Sequence, residues 1–252
     1  MQLKKKIGIT VASVAILGGF GYGLRCAVHS PLFLLRVIEV ADQSEPAPID
    51  ADRITALAAV PIGSLNLFDL DLSPVEHRLL SNPWIREVRL QKRFPQTLAI
   101  SVTFREARAL VQRSGSQLAY VDVDGVVFGQ VNLARQLDLP MFSGFGKEPR
   151  ERLVEALKLL DQWKASALAG LGQVDSVSYD PERGYRALVG YPCRHGVAHT
   201  MVDLGHEFDG DFPAQLGRLH QVFKYLADNG VPVRQIWADS GKKIVVKIAR
   251  GS

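Results

Sequence analysis

Cysteine is scarce in this sequence, because Cys26 and Cys193 are the only two in 252 residues. They lack the Cys-x-x-Cys spacing of a structural metal site, and two distant thiols cannot form the disulfide framework of a small secreted domain. We therefore expect both cysteines to be free thiols, and neither to hold a metal.

Acidic residues are absent from the first 28 positions, which carry four basic residues, Lys4, Lys5, Lys6 and Arg25. Once these four are set aside, the 26 remaining basic residues balance the 26 acidic ones. A neutral remainder gives no support for a nucleic-acid partner, which would require a basic surface.

A long uncharged run occupies residues 7–24, IGITVASVAILGGFGYGL. As a helix it would span about 27 Å, close to the hydrocarbon core of a bilayer. Lys4–Lys6 precede it, so the positive-inside rule predicts a cytoplasmic N-terminus and an external remainder. A cleaved signal peptide has a similar start, but no small-x-small cleavage site follows this run. We expect an uncleaved anchor, with a cytoplasmic tail over 1–6 and a transmembrane helix over 7–28.

The next segment predicts the order strand, helix, helix, strand, strand. A strand is predicted over 34–40, a helix capped by Asp50 follows, and Ser73-Pro74-Val75-Glu76 predicts a capping box at the start of a second helix. Two alternating runs joined at Pro95 then predict a hairpin. One face of the first run carries Trp84, Val88, Leu90 and Phe94, and one face of the second carries Leu98, Ile100, Val102 and Phe104. Trp84 is expected to anchor the core of this sheet.

The second half predicts an antiparallel sheet with two helices. Asp124-Gly125 indicates a hairpin turn. Helices are predicted over 149–163 and, with the stripe Leu216, Leu219, Phe223 and Leu226, up to Gly230. Strands are predicted over 174–179, 184–190, 197–204, 233–238 and 242–249.

Histidines provide the strongest candidates for catalysis. His195, His199 and His206 lie near Asp203 and Glu207. The spacing of His195 and His199 suits a metal site on a helix, but the surrounding pattern predicts strands, where these two residues lie about 13 Å apart. No serine stands in a Gly-x-Ser-x-Gly elbow. We expect no catalytic residue, cofactor or metal, with an anchored envelope hydrolase that uses these histidines as the alternative.

Several stretches resemble the FtsQ/DivIB family of bacterial cell-division proteins, whose members carry a POTRA (polypeptide-transport-associated) domain. The matching stretches are VIEV at 37–40, GSLNLFDLDL at 63–72, NPWIREVRLQKRFPQTLAISV at 82–102, VDVDGVVFG at 121–129 and LPMFSG at 139–144. The resemblance implies an α+β protein, with an N-terminal transmembrane helix, a POTRA domain over 33–105 and a C-terminal antiparallel β domain over 106–252. Residues 104–107 and 235–238 depart from the family pattern.

The resemblance also implies a function. A family member of this kind is a non-catalytic, single-pass (type II) inner-membrane scaffold of the divisome, with its C-terminal domain in the periplasm at the division septum. It links early cytoplasmic division proteins to late periplasmic ones, binds FtsB and FtsL, and has no small-molecule substrate. A transport component is the other POTRA-containing alternative.

The last predicted strand, in the stretch KKIVVKI, is the expected partner site. Ile244, Val246 and Ile248 are expected to face the core, and Lys243, Val245 and Lys247 to face solvent. An edge strand can pair with a strand of a partner, and lysines on it can also serve only to deter aggregation. The expected partner-binding residues are Trp237, Asp239, Ser240, Gly241, Lys243, Val245 and Lys247.

Overall fold

The computed structural model describes residue 25 and residues 28–42, 48–113, 117–131, 138–146, 150–194, 196–206, 211–238 and 243–248. The chain divides into two units between Arg105 and Glu106. The predicted transmembrane helix over 7–28 lies outside the described residues except for Arg25 and Val28. None of the helices within the described residues is long and apolar enough to span a bilayer.

The first unit has the strand, helix, helix, strand, strand order that the sequence predicts, so this prediction is confirmed. Its elements are β1 (Val37–Asp42), α1 (Ala51–Ala58), α2 (Ser73–Leu80), β2 (Ile85–Arg93) and β3 (Thr97–Phe104), preceded by a 3₁₀ turn at Pro31–Phe33. The sheet order is β1-β3-β2, with β1 parallel and β2 antiparallel to β3. A parallel neighbour needs a long crossover, so the two helices between β1 and β2 allow β1 to pair in parallel with β3.

Aspartates organise the starts of both helices. Asp50 caps α1 as predicted, since its Oδ1 accepts a hydrogen bond from the Arg53 amide at 3.0 Å. The capping box predicted at Ser73 is wrong, because that residue is already helical and Leu72 stands at the cap without a side-chain bond. Asp71 instead accepts from the Ser73 amide at 3.0 Å, so the turn before α2 is stabilised one step upstream.

The core of the first unit confirms the alternation predicted for β3 and corrects that of β2. Leu98, Ile100 and Val102 are buried under α1 and α2. Trp84, however, is only half-buried, and Ile85 is the residue that enters the core. The pairing of β2 with β3 shifts between Ile85 and Glu87, because β2 has one extra residue there, a β-bulge. Side chains before the bulge therefore face the opposite side from the one that simple alternation predicts.

The second unit contains a sheet of nine strands and two long helices. Its elements are β4 (Ala107–Gln112), β5 (Leu118–Asp122), β6 (Val127–Phe128), β7 (Met141–Ser143), α3 (Arg150–Ala165), β8 (Gln173–Asp180), β9 (Gly184–Cys193), β10 (Gly196–Gly205), α4 (Phe212–Asn229), β11 (Val233–Trp237) and β12 (Val245–Ile248). The strand order is β12-β11-β10-β9-β8-β7-β4-β5-β6. The strands β4 and β7 were not among those predicted.

This sheet is mixed, so the prediction of an antiparallel sheet is wrong. The pairs β4 with β7, β7 with β8, and β10 with β11 are parallel. Two of these pairs follow from the helices, because α3 connects β7 to β8 and α4 connects β10 to β11. A helical crossover returns the chain in the same direction.

The helices bury the stripes that the sequence predicts. Leu153, Leu157 and Leu160 on α3 are buried, as are Leu216, Leu219, Phe223 and Leu226 on α4. Trp163 joins the two helices, since its ring meets Phe223 edge-on and its Nε1 donates to the Gly172 carbonyl at 2.9 Å. Helix α4 ends at Gly230, whose φ of 62° is the left-handed geometry that favours glycine there.

Candidate partner-binding surface

Strand β12 forms one end of the nine-stranded sheet. It pairs with β11 on one side, and within the described part of the chain no strand pairs with its other side. The main-chain N–H and C=O groups along that outer side therefore face outward, which is the arrangement that a partner strand can extend.

Side chains alternate along β12 largely as the sequence predicts. Ile244 and Val246 pack against the core of the second unit, whereas Lys243, Val245 and Lys247 are exposed. Ile248 is the exception, because it is 64% exposed although it was expected to face the core. It is the last residue of the strand, and the pairing with β11 shifts between Val233 and Gln235 beside it.

Trp237 lies one strand inward from the edge. It is half-buried on β11 and stands opposite Val245 on β12 and Asp203 on β10. Directly opposed residues share a face of a sheet, so these three side chains form a row that runs inward from the edge. Asp239, Ser240 and Gly241, the other predicted partner-binding residues, lie outside the described residues.

A cavity of about 560 Å³ lies beside this row, lined by Glu182, Arg183, Asp203, Gly205, His206, Gln235 and Trp237. The carboxylate of Asp203 is buried, with the residue only 3% exposed. Its Oδ2 accepts from the Gln235 side-chain Nε2 at 2.6 Å, and its Oδ1 has no hydrogen-bond partner among the described residues. An unpaired buried carboxylate oxygen is costly, so this position favours a donor from water or from a bound molecule.

The two candidate histidines that the structure describes, His199 and His206, do not come together. His199 on β10 faces Asp175 on β8, with Nε2 and Oδ2 3.2 Å apart. His206 follows the far end of β10, about 23 Å further along an extended chain, and lies near the Glu182 carbonyl. His195 and Glu207 lie outside the described residues. Within the part of the chain that the structure describes, no three His, Cys, Asp or Glu side chains group as metal ligands would.

Among the described residues, three titratable groups have shifted pKa values, and none of them is on β12. A hydrogen bond from the Glu182 amide holds the pKa of Asp180 below its ordinary value. Burial raises the pKa of Tyr185, as does its hydrogen bond to Glu155. Burial also raises the pKa of Tyr191. Both tyrosines support the core, where Tyr191 accepts from the Val233 amide and donates to the Val231 carbonyl.

Two family models match the chain, one for each unit. The "POTRA domain, FtsQ-type" model matches residues 46–105. The "Cell division protein FtsQ/DivIB, C-terminal" model matches residues 109–236. The second match ends immediately before Trp237, so it does not include β12.

Two curated proteins with the name "Cell division protein FtsQ" are similar to this chain over most of their length. The Geotalea daltonii protein is 30% identical over 245 residues, which are 94% of this chain and 84% of the relative. The Syntrophotalea carbinolica protein is 29% identical over 211 residues, which are 81% of this chain and 71% of the relative. The chain therefore belongs to the FtsQ/DivIB family of bacterial cell-division proteins.

Proposed function

We propose that this protein is a non-catalytic divisome scaffold held in the inner membrane by a transmembrane helix over residues 7–28. Its tail over 1–6 would lie in the cytoplasm, and the POTRA domain (33–105) and C-terminal domain (106–252) would lie in the periplasm at the septum. There it would link early cytoplasmic division proteins to late periplasmic ones and bind FtsB and FtsL. Family membership supports the role in division, and the apolar run behind Lys4–Lys6 supports the topology.

The observation that carries the partner site is the unpaired outer side of β12. A segment of FtsB that pairs there would extend the nine-stranded sheet by one strand. Each main-chain hydrogen bond contributes only about 0.5–1.5 kcal/mol net, so a four-residue edge gives limited affinity by itself. Side chains next to the edge must then supply the remaining affinity and the specificity.

Two features beside the edge can supply them. Lys243 and Lys247 are exposed on either side of Val245, so a partner segment with acidic residues at the facing positions would be favoured. Trp237 offers part of an aromatic surface behind Val245, and tryptophan is enriched among the residues that dominate binding energy at interfaces. The expected partner segment is thus an acidic strand with an apolar residue that packs against Val245.

Charge reversal tests the electrostatic part of this proposal. Lys243→Glu with Lys247→Glu changes exposed residues, which usually alters stability by less than about 0.5 kcal/mol. The double variant should capture less FtsB in a pull-down, with the largest loss at low salt. Lys158→Glu with Lys224→Glu is the matched control, because these exposed lysines lie on α3 and α4.

Undiminished capture of FtsB by a folded double variant would refute the role of the two lysines. Deletion of 242–252 tests the edge itself, with circular dichroism to show that the remaining sheet is folded. If the truncated protein still captures FtsB fully, the site lies elsewhere, and the free edge of the POTRA sheet is then the next candidate.

A further inference from the structure

Three phenylalanines from separate segments of the first unit meet at its surface. The ring centroids of Phe33 and Phe68 are 5.0 Å apart, those of Phe68 and Phe94 are 4.6 Å apart, and those of Phe33 and Phe94 are 6.2 Å apart. Phe68 is nevertheless 42% exposed, Phe94 is 51% exposed and the neighbouring Leu32 is 57% exposed. We call Leu32, Phe33, Phe68 and Phe94 the phenylalanine patch.

The fold holds this patch in place. The Leu67 amide donates to the Phe33 carbonyl at 2.8 Å, and the Gln96 side chain donates to the Leu32 carbonyl at 3.1 Å. Lys92 Nζ donates to the carbonyl of Phe68 at 3.2 Å. The patch is therefore a fixed part of the unit, in which clustered aromatic surface stays in contact with solvent.

The patch lies close to the point where the chain leaves the predicted membrane anchor. Asn66 donates to the Val28 carbonyl at 2.9 Å, which fixes residue 28 beside the loop that carries Phe68. The uncharged run ends at residue 24, four residues earlier. Four residues span at most about 14 Å, so an anchored residue 24 keeps this loop near the headgroup region.

Basic residues surround the patch. Lys92 Nζ contacts the Phe68 carbonyl, and Arg93 directly precedes Phe94. Arg36 is exposed, and its backbone amide donates to the Gln96 carbonyl. Two acidic residues also lie here and have basic partners. Glu39 pairs with Arg93 at 2.9 Å, and Asp69 faces His29 at 3.8 Å.

We propose that the phenylalanine patch docks the POTRA domain on the outer leaflet of the membrane in which the chain is anchored. Leu32, Phe68 and Phe94 enter the boundary between headgroups and acyl chains, where surface-bound proteins bury Phe and Leu side chains. Arg36 and Lys92 face anionic lipid phosphates. This inference rests on the proposed anchor, and it adds that the POTRA domain has a fixed orientation toward the bilayer.

Depth-dependent quenching on the full chain tests the docking. In a background of Cys26→Ala and Cys193→Ala, single cysteines replace Phe68, Phe94 or Glu87 and carry an environment-sensitive fluorophore. The protein is reconstituted into vesicles of phosphatidylethanolamine and phosphatidylglycerol. Glu87 is the matched control, because it is exposed near the start of β2, and this strand runs about 23 Å from there to its end beside Phe94.

Labels at 68 and 94 should be quenched by nitroxide on the lipid chains and be several-fold less accessible to aqueous iodide than the label at 87. Vesicles without phosphatidylglycerol should reduce this protection if Arg36 and Lys92 bind anionic lipid. Equal iodide access at all three sites would overturn the inference. Protection from iodide without lipid quenching would also overturn it, because a second protein copy would then cover the patch.

A fourth label separates this inference from the proposed function. Ile16→Cys places the fluorophore in the predicted anchor, where lipid nitroxide should quench it strongly. An aqueous label at 16 would refute the anchor and the docking together. A lipid-quenched label at 16 with aqueous labels at 68 and 94 would refute the docking alone.

Discussion

The shift in pairing between Ile85 and Glu87 leads to a prediction about two adjacent residues. Ile85 is buried in the core of the first unit, so Ile85→Ala should cost about 2–5 kcal/mol through lost contacts and a cavity. Trp84 is larger but only half-buried, so Trp84→Ala should cost about 1 kcal/mol, near the middle of the usual range. In a domain of this size each kcal/mol lowers the melting temperature by about 4–8 °C.

Circular dichroism melts of a 28–252 fragment measure the two effects under identical conditions. Ile85→Ala should lower the melting temperature of the first unit by about 8 °C or more, and Trp84→Ala by clearly less. Ile85→Val is the control for a conservative change at the buried site, with an expected cost of about 0.5–1.5 kcal/mol. A larger loss for Trp84→Ala than for Ile85→Ala would refute the bulge, because simple alternation through β2 would then place Trp84 inside.

Two further predictions concern the second unit. Trp163→Phe keeps most of the ring but removes the donor to the buried Gly172 carbonyl, so urea unfolding should show a loss of about 1–3 kcal/mol, and an unchanged midpoint would contradict the bond. The raised pKa of Tyr185 means that the folded state favours the neutral phenol, so the stability it contributes is present below pH 10 and is lost as the pH rises above 10. Tyr185→Phe should therefore reduce the fall in the urea midpoint between pH 9 and pH 11, and an identical fall in both proteins would exclude Tyr185 as its source.

Local periodicity was sufficient to predict most elements. The apolar stripe of α4 and the alternation of β3 repeat with the period of their element, so each residue's face follows from its position in the chain. The bulge in β2 was not predictable in this way, because it depends on how β2 pairs with β3. The parallel pairing of β4 with β7 also depends on strands that are distant in the chain and leaves no local pattern. The other two parallel pairs of the second unit were indicated by the predicted helices before β8 and β11, and the prediction of an antiparallel sheet overlooked this signal.

The candidate site shows the same division. The exposed lysines of β12 follow from alternation along one strand. The row from Val245 through Trp237 to Asp203 depends on the register of three strands, and the phenylalanine patch combines three segments that are distant in the sequence. Asp203 was noted only as a neighbour of the histidines, because sequence alone does not show that its carboxylate is buried, with one oxygen that has no partner among the described residues.

Hydrogen–deuterium exchange in the presence of FtsB tests most directly the claim that β12 is the partner site. A partner strand would pair with the outward-facing amides of Val245–Ile248 and slow their exchange. The strand β6 at the opposite end of the sheet, Val127–Phe128, serves as the internal control. The account predicts protection of the peptide that contains β12 and no change at β6. Unchanged exchange at β12 under saturating FtsB would contradict it.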